Sequence, residues 1–182
     1  MQRELVGFTV EKEEIFIFVR NGQLEEVKRI SKLDNRLLHS KNEKGRSLVF
    51  IASMEGHSEI LSYLISKKSN IHTSNKVGNT PLVAAVVKNN HKCVSLLLNH
   101  GADPNTIFRN VGRGSTIPIY NFAVFRKHLE CAKILRRTSG INLELKDSAG
   151  ISGYEIDLFD KNPESSYAKG LQKRLTTERE IG

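Results

Sequence analysis

Residues 45–72, GRSLVFIASMEGHSEILSYLISKKSNIH, overlay residues 78–105, GNTPLVAAVVKNNHKCVSLLLNHGADPN, at a shift of 33. Gly45 falls on Gly78, Ser47 on Thr80, Ala52 on Ala85, Leu64 on Leu97 and Ile65 on Leu98. A chain that repeats itself at a fixed period of a few tens of residues buries its core by stacking like units, so this period decides the architecture before any element is assigned. The match continues in both directions. Upstream, His39 precedes His72 by 33, and EEIFIFVRNGQLEEVKRI (13–30) places Gly22 where the next unit has Gly56. Downstream, Pro118 follows Pro81 by 37, so IPIYNFAVFRKHLECAKIL (117–135) reads as a further helix pair after a connection about four residues longer. A last unit opens at DSAGISGYEI, with Gly150 in the place of Gly78.

The unit from Gly78 carries clear helix signals. Thr80 can cap a helix that starts at Pro81, because proline at the first helical position loses only a donor that has no partner there. Small Ala84 and Ala85 let neighbouring inner helices approach closely. Cys93, Val94, Leu97 and Leu98 recur at i, i+1, i+4 and i+5, one apolar stripe of a helix, and Gly101 permits the positive φ that ends it. The run Ile15 to Val19 is apolar throughout, which suits a buried strand as well as a helix; its distance to Gly22 assigns it to an inner helix. Asn162-Pro163-Glu164 begins a last helix whose Tyr167, Leu171 and Leu175 form one narrow stripe, the composition of a cap with a polar outer side.

GNTPLVAAV and LLLNHGADPN resemble the G-x-T-P-L-H-x-A-A and L-L-x-x-G-A-D-V-N segments of the ankyrin-repeat family, whose period is also 33. The resemblance covers roughly residues 12–159. It implies an all-α solenoid in which each repeat is a β-turn or hairpin, an inner helix and an outer helix. The chain then divides as one domain, 1–182, with repeats at about 12–44, 45–77, 78–114 and 115–149 and a partial repeat and cap at about 150–182. Phe50, Val83 and Tyr120 stand where the family has histidine, and Leu48 replaces proline. The resemblance also implies that hairpin tips and the inner-helix face bind another protein.

Composition agrees with a thin-cored, folded chain. Of 182 residues, 38% are hydrophobic and 26% charged, with no Trp and 4 Pro. The first residues mix charged and apolar types too closely for a signal peptide, and nothing approaches the ~20 apolar residues of a membrane span. A monomeric cytoplasmic protein is therefore expected; the Lys, Asn and Ile content further suggests an AT-rich genome, such as that of an intracellular bacterium delivering effectors into a host. Cys93 and Cys131 form no C-x-x-C pair and lie in separate amphipathic segments, as buried free thiols would.

No nucleophile-elbow, metalloprotease, Walker or EF-hand pattern occurs. Gly112-Arg113-Gly114 lacks the third glycine and the preceding strand of a phosphate-binding fingerprint and reads as a flexible turn. Equivalent histidines one repeat apart are about 10 Å from each other by ordinary helix-packing distances, too far to share a metal with ~2 Å bonds. No enzyme activity, cofactor, metal or small-molecule substrate is expected.

Charge is unevenly placed. Residues 66–137 contain twelve Lys/Arg and only Asp103 and Glu130 as acids, a net +10, while the rest of the chain sums to −2. The expected partner is a protein with an acidic or acidic-apolar surface; nucleic acid or an anionic lipid surface is the alternative for the same block. On the inner helices the positions facing such a partner are Arg20 and Asn21, Met54 and Glu55, Val87 and Lys88, then Val124 or Phe125 with Arg126. Met54, Val87 and Phe125 make an apolar line flanked by charge. Val87 and Phe125 equally suit a seal between repeats. The turn tips carry Lys44, Arg46, Lys76, Arg109, Arg113 and Lys146, and the longest, Thr106 to Ile117, adds Phe108. Extra residues in one repeat often lie on the binding face, but an insertion of this size is also cheap in loop-closure entropy and needs no function.

Overall fold

The computed structural model describes residues 12–110, 112 and 114–156. Among the described residues, eight α-helices come in consecutive pairs: α1 Lys12–Arg20 with α2 Leu24–Leu33, α3 Leu48–Glu55 with α4 Ser58–Ser66, α5 Pro81–Val87 with α6 His91–Asn99, and α7 Ile119–Phe125 with α8 Leu129–Arg137. Each pair turns on a residue with positive φ: Gly22 (74°), Gly56 (84°), Asn89 (60°) and Lys127 (57°). The next N–H then reaches back to a helix carbonyl, Gln23 to Phe18, His57 to Ala52, Asn90 to Ala85 and His128 to Ala123, at 2.8–2.9 Å. This is the left-handed C-terminal closure that satisfies orphan carbonyls.

Those bonds define which residues are equivalent, and they correct the register of the fourth unit. Ala123 matches Ala85, so the step is 38 and not 37: Pro118 takes the place of Thr80, and Asn121, not Tyr120, takes that of Val83. The reason lies in the preceding connection. It forms an antiparallel hairpin, β1 Ile107–Asn110 with β2 Ser115–Pro118, pairing Ile107 with Pro118 and Asn110 with Ser115. Pro118 (φ −52°, ψ 137°) is held extended as the end of β2, so α7 starts one residue later. Gly112 and Gly114 do follow a strand, against expectation, but that strand turns straight back into β2 and no helix follows it. The fold is thus mostly helical with a two-stranded sheet.

Inner helices α1, α3, α5 and α7 pack in that order, and outer helices α2, α4, α6 and α8 form a second row on them. The inner helices sit between neighbours, so α3 buries Leu48 through Ser53 and α5 buries Pro81 through Val86 without a polar side. Their N-termini are capped by Ser47 and Thr80, whose hydroxyls accept from Phe50 N and Val83 N. Ala52, Ala85 and Ala123 are fully buried where inner helices touch. The run Ile15 to Val19 is helical, with Ile15, Phe16 and Val19 in the core. One apolar cluster runs from Ile15 to Leu135. Fully burying each Ile or Leu contributes about 1.5–3 kcal/mol, whereas exposed ion pairs contribute little, so packing holds the stack. The expected capping helix, with Asn162, Tyr167, Leu171 and Leu175, lies outside the described residues.

Candidate functional site

Three tips are built alike. Asn42 Oδ1 accepts from Lys44 N and Arg46 N (3.1 and 3.0 Å), Asn75 Oδ1 from Val77 N and Asn79 N (3.0 and 3.0 Å), and Asp147 Oδ1 from Ala149 N and Ile151 N (2.9 and 2.9 Å). Gly45, Gly78 and Gly150 close the turns with φ of 71°, 84° and 77°, a region where a side chain would be strained. Neighbouring tips are joined by backbone bonds, Lys76 N to Lys44 O at 3.2 Å and Ser148 N to Thr116 O at 3.0 Å. The hairpin fits into this row. Asn79 grips its first strand through both backbone groups of one residue, accepting from Arg109 N (2.8 Å) and donating to Arg109 O (3.2 Å). Both edges of the hairpin are therefore used within the chain.

The expected tip bases fall on this row. Lys44, Lys76, Arg109 and Lys146 are exposed, and Arg46 is half-buried with its guanidinium carbon 5.5 Å above the Phe50 ring. A Cβ on Gly78 would meet Arg109 Nε at 3.1 Å, so the arginine lies across that turn. Phe108 is half-buried and packs edge-on against Phe122, ring centroids 5.0 Å apart. Arg113 and Val111 lie outside the described residues.

Inner-helix ends supply the second part of the surface. Arg20, Met54, Val87 and Phe125 each stand two residues before the positive-φ turn, and Asn21, Glu55, Lys88 and Arg126 one before it, so both sets are repeat-equivalent and lie side by side in the order of their helices. Arg20, Asn21, Glu55, Lys88 and Arg126 are exposed; Met54, Val87 and Phe125 are half-buried. Val87 also packs on the main core, and Phe125 on a small cluster with Ile151 and Ile156. The residue opening each next outer helix holds these ends in place. His57 Nε2 donates to Arg20 O (2.9 Å), Asn90 Nδ2 to Ser53 O and Met54 O (3.0 and 2.9 Å), and His128 Nδ1 to Val86 O (2.8 Å). A carbonyl only accepts, so the imidazole nitrogens facing it carry hydrogens.

The ion pairs among the described residues lie on or beside the outer helices, and none involves a tip base. On the outer helices, Lys28 pairs with Glu25, Arg29 with Glu26 and Lys133 with Glu130, and beside α2 Arg36 pairs with Asp34, at 2.7–2.9 Å. Hydrogen bonding to Arg36 holds the Asp34 carboxyl below its usual range, and Lys133 does the same for Glu130. Lys44, Arg46, Lys76, Arg109 and Lys146 have no ion-pair partner among the described residues. Sequence reasoning passed over Asn42, Asn75, Asn79 and Asp147, which shape the tips that carry the bases, and Asn90, which holds the end of α3. A signal was available for the turns, an Asx residue three before glycine in each tip, but none for Asn79.

A shallow cleft of about 580 Å³ between the C-terminal ends of α6 and α8 is lined by Leu98, Ala102, Pro104, Ile134 and Arg137, open to solvent and without converging titratable groups. Among the described residues no group of three His, Cys, Asp or Glu could hold a metal ion, and no helix is long and apolar enough to cross a membrane. The family model described as ankyrin repeats (3 copies) matches residues 15–107, just over half of the chain. With paired helices in register, glycine-closed tips and a continuous core between repeats, this chain belongs to the ankyrin-repeat family.

Proposed function

We propose that this protein is an interaction module or adaptor that binds a protein with an acidic or acidic-apolar surface through its tips and the exposed ends of its inner helices. Ankyrin repeats suggest protein-protein interaction in general. The observation that carries the more specific reading is the row of tip bases. Lys28, Arg29 and Lys133 on the outer helices pair with carboxylates, although Lys32 and Lys92 do not, while among the described residues Lys44, Arg46, Lys76, Arg109 and Lys146 have no ion-pair partner and line up in one hydrogen-bonded row. Such a field attracts an acidic partner and speeds encounter. Met54, Val87 and Phe125 supply the apolar centre. The surface is taken to span repeats at 12–44, 45–77, 78–114 and 115–149, closed by 150–182, in a monomeric cytoplasmic protein. Delivery into a host cell by an intracellular bacterium belongs to the same reading and rests only on the Lys, Asn and Ile content.

The net +10 of residues 66–137 favours a second reading, nucleic acid or an anionic lipid surface. Against single strands, Phe50 lies buried under Arg46 and Phe108 is engaged with Phe122, so neither ring can stack on a base.

Affinity capture followed by kinetics on purified components tests the proposal. Arg109→Glu is expected to slow association, and Phe125→Ala to speed dissociation at a cost of about 2 kcal/mol or more if it is a hot spot. Both variants must first melt like the parent. Parent-like rates for both would remove binding from this surface. A complex whose affinity falls steeply and linearly with log salt would instead mark a phosphate binder.

A further inference from the structure

Three cations meet around Gly45. Lys44 and Arg46 flank it, and Lys76 arrives from the next tip, where a Cβ built on Gly45 would lie 3.0 Å from both Lys76 Cγ and Lys76 N. Like charges gathered at one point raise each other's energy, and among the described residues none of the three has an ion-pair partner. Arg46 is the unusual member. Its Nε is buried without a partner, and its side chain donates no hydrogen bond to any described residue. The guanidinium carbon lies 5.5 Å from the centroid of Phe50, which is 4% exposed, and the outer nitrogens make no hydrogen bond with a described residue. A planar fork suits a pair of oxygens, those of a carboxylate or of a phosphate.

Two observations favour carboxylates over phosphate. Phosphate loops offer free backbone N–H groups. Here the turn N–H groups are already committed, Lys44 and Arg46 to Asn42 Oδ1, Gly45 to Asn42 O, Lys76 to Lys44 O, and Val77, Gly78 and Asn79 to Asn75. Glu43 in the same tip and Glu55 at the end of α3, both exposed, repel any anion, and they would oppose the many charges of a continuous phosphate backbone more than a single pair of carboxylates.

We propose that Arg46, flanked by Lys44 and Lys76, is the receptor for two adjacent Asp or Glu side chains of the partner protein. This deepens the proposed function and rests on it: the contact between the Asn42 and Asn75 tips becomes the point that sets the partner's register.

Fluorescence anisotropy on the full chain tests it with a short labelled peptide carrying an adjacent Glu-Glu pair, its Gln-Gln and phosphoserine counterparts, and a single-stranded oligonucleotide. The Glu-Glu peptide is expected to bind at least about tenfold more tightly than Gln-Gln, and Arg46→Lys to weaken it about five- to tenfold, because charge is kept but the fork is lost. Lys44→Gln with Lys76→Gln, both exposed, must also weaken it; this pair decides the matter if Arg46→Lys melts early. The proposal is overturned if the Glu-Glu peptide does not bind the parent chain, if Arg46→Lys binds it as the parent does, or if the phosphoserine peptide or the oligonucleotide binds more tightly through Arg46. Loss of captured partner by Phe125→Ala together with parent-like binding by Arg46→Lys would sink this receptor and leave the interaction module standing.

Discussion

Asn90 donates backwards to Ser53 O and Met54 O, the carbonyls that end α3, while its own Oδ1 lies 2.8 Å from where a Cβ on Gly56 would be. One side chain thus ties the third repeat to the second and requires glycine opposite it. Asn90→Ala is expected to cost about 1–3 kcal/mol, since two carbonyls lose their donor. Asn90→Asp should cost more, because a carboxylate would face those carbonyls and the negative end of the helix. Urea unfolding measures both; an Asp variant as stable as the parent would mean the amide is not so placed. The two thiols give a pH-dependent case. Burial pushes Cys93 and Cys131 up from 9.0 to about 11, Cys131 with a further push from Glu130. The protonated thiol is the form the fold favours, so this stabilisation is complete below pH 9 and is lost as pH rises towards about 11. Replacing both cysteines with alanine should therefore flatten the alkaline side of the stability profile. Near neutral pH a thiol-specific reagent should label the native protein slowly and the unfolded chain fast, and equally fast labelling of both would contradict the burial.

Elements differ in what they need from their neighbours. The outer helix α8 reads from its own residues, with Cys131 and Leu135 buried at a spacing of four and Lys133 paired to Glu130 on the exposed side. The inner helices have no polar side to read. Five consecutive apolar residues in α1 suited strand or helix, and the turn at Gly22 settled the matter. The hairpin depends most on context, because two strands of four residues are marginal by themselves. Asn79 on one edge and Ser148 N on the other complete its hydrogen bonds. Asn79→Ala is accordingly expected to raise the hydrogen-exchange rate of the Arg109 amide about tenfold or more, while α5 and α6 keep theirs, since local opening is set by local bonds. Unchanged protection at Arg109 would show that β1 is held by other contacts.

At the scale of the molecule, each repeat can bury its apolar face only against the next, so a defect at one interface is felt along the stack. Ala85 is fully buried between α3 and α5, and Ala85→Leu should overpack that contact, costing about 1–3 kcal/mol. Far-UV circular dichroism should show a helix-dominated spectrum that melts at a lower temperature in the variant. An unchanged melting temperature would mean the inner helices do not meet there. The field of the whole chain is also a property of the stack: the tip bases come from different repeats and form one surface only because the tips are joined in a row.

Period, helix starts and glycine turns were legible in the sequence because each depends on residues a few positions apart, as with Thr80 capping α5 or Gly101 ending α6. The positions of Arg20, Met54 and Val87 followed from that period alone. Where the period breaks, legibility ended: the insertion before the fourth unit hid a one-residue step, moving the place of Val83 to Asn121. Partners about 30 to 40 residues away were equally out of reach, such as Asn79 on Arg109 and His128 on Val86, because no local rule couples them. Net charge could be counted from the residues, but which cations stay unpaired could not. Ion pairing is a matter of separation in space, and only the stacking of repeats sets Lys76 across Gly45, with no ion-pair partner for either tip's bases among the described residues.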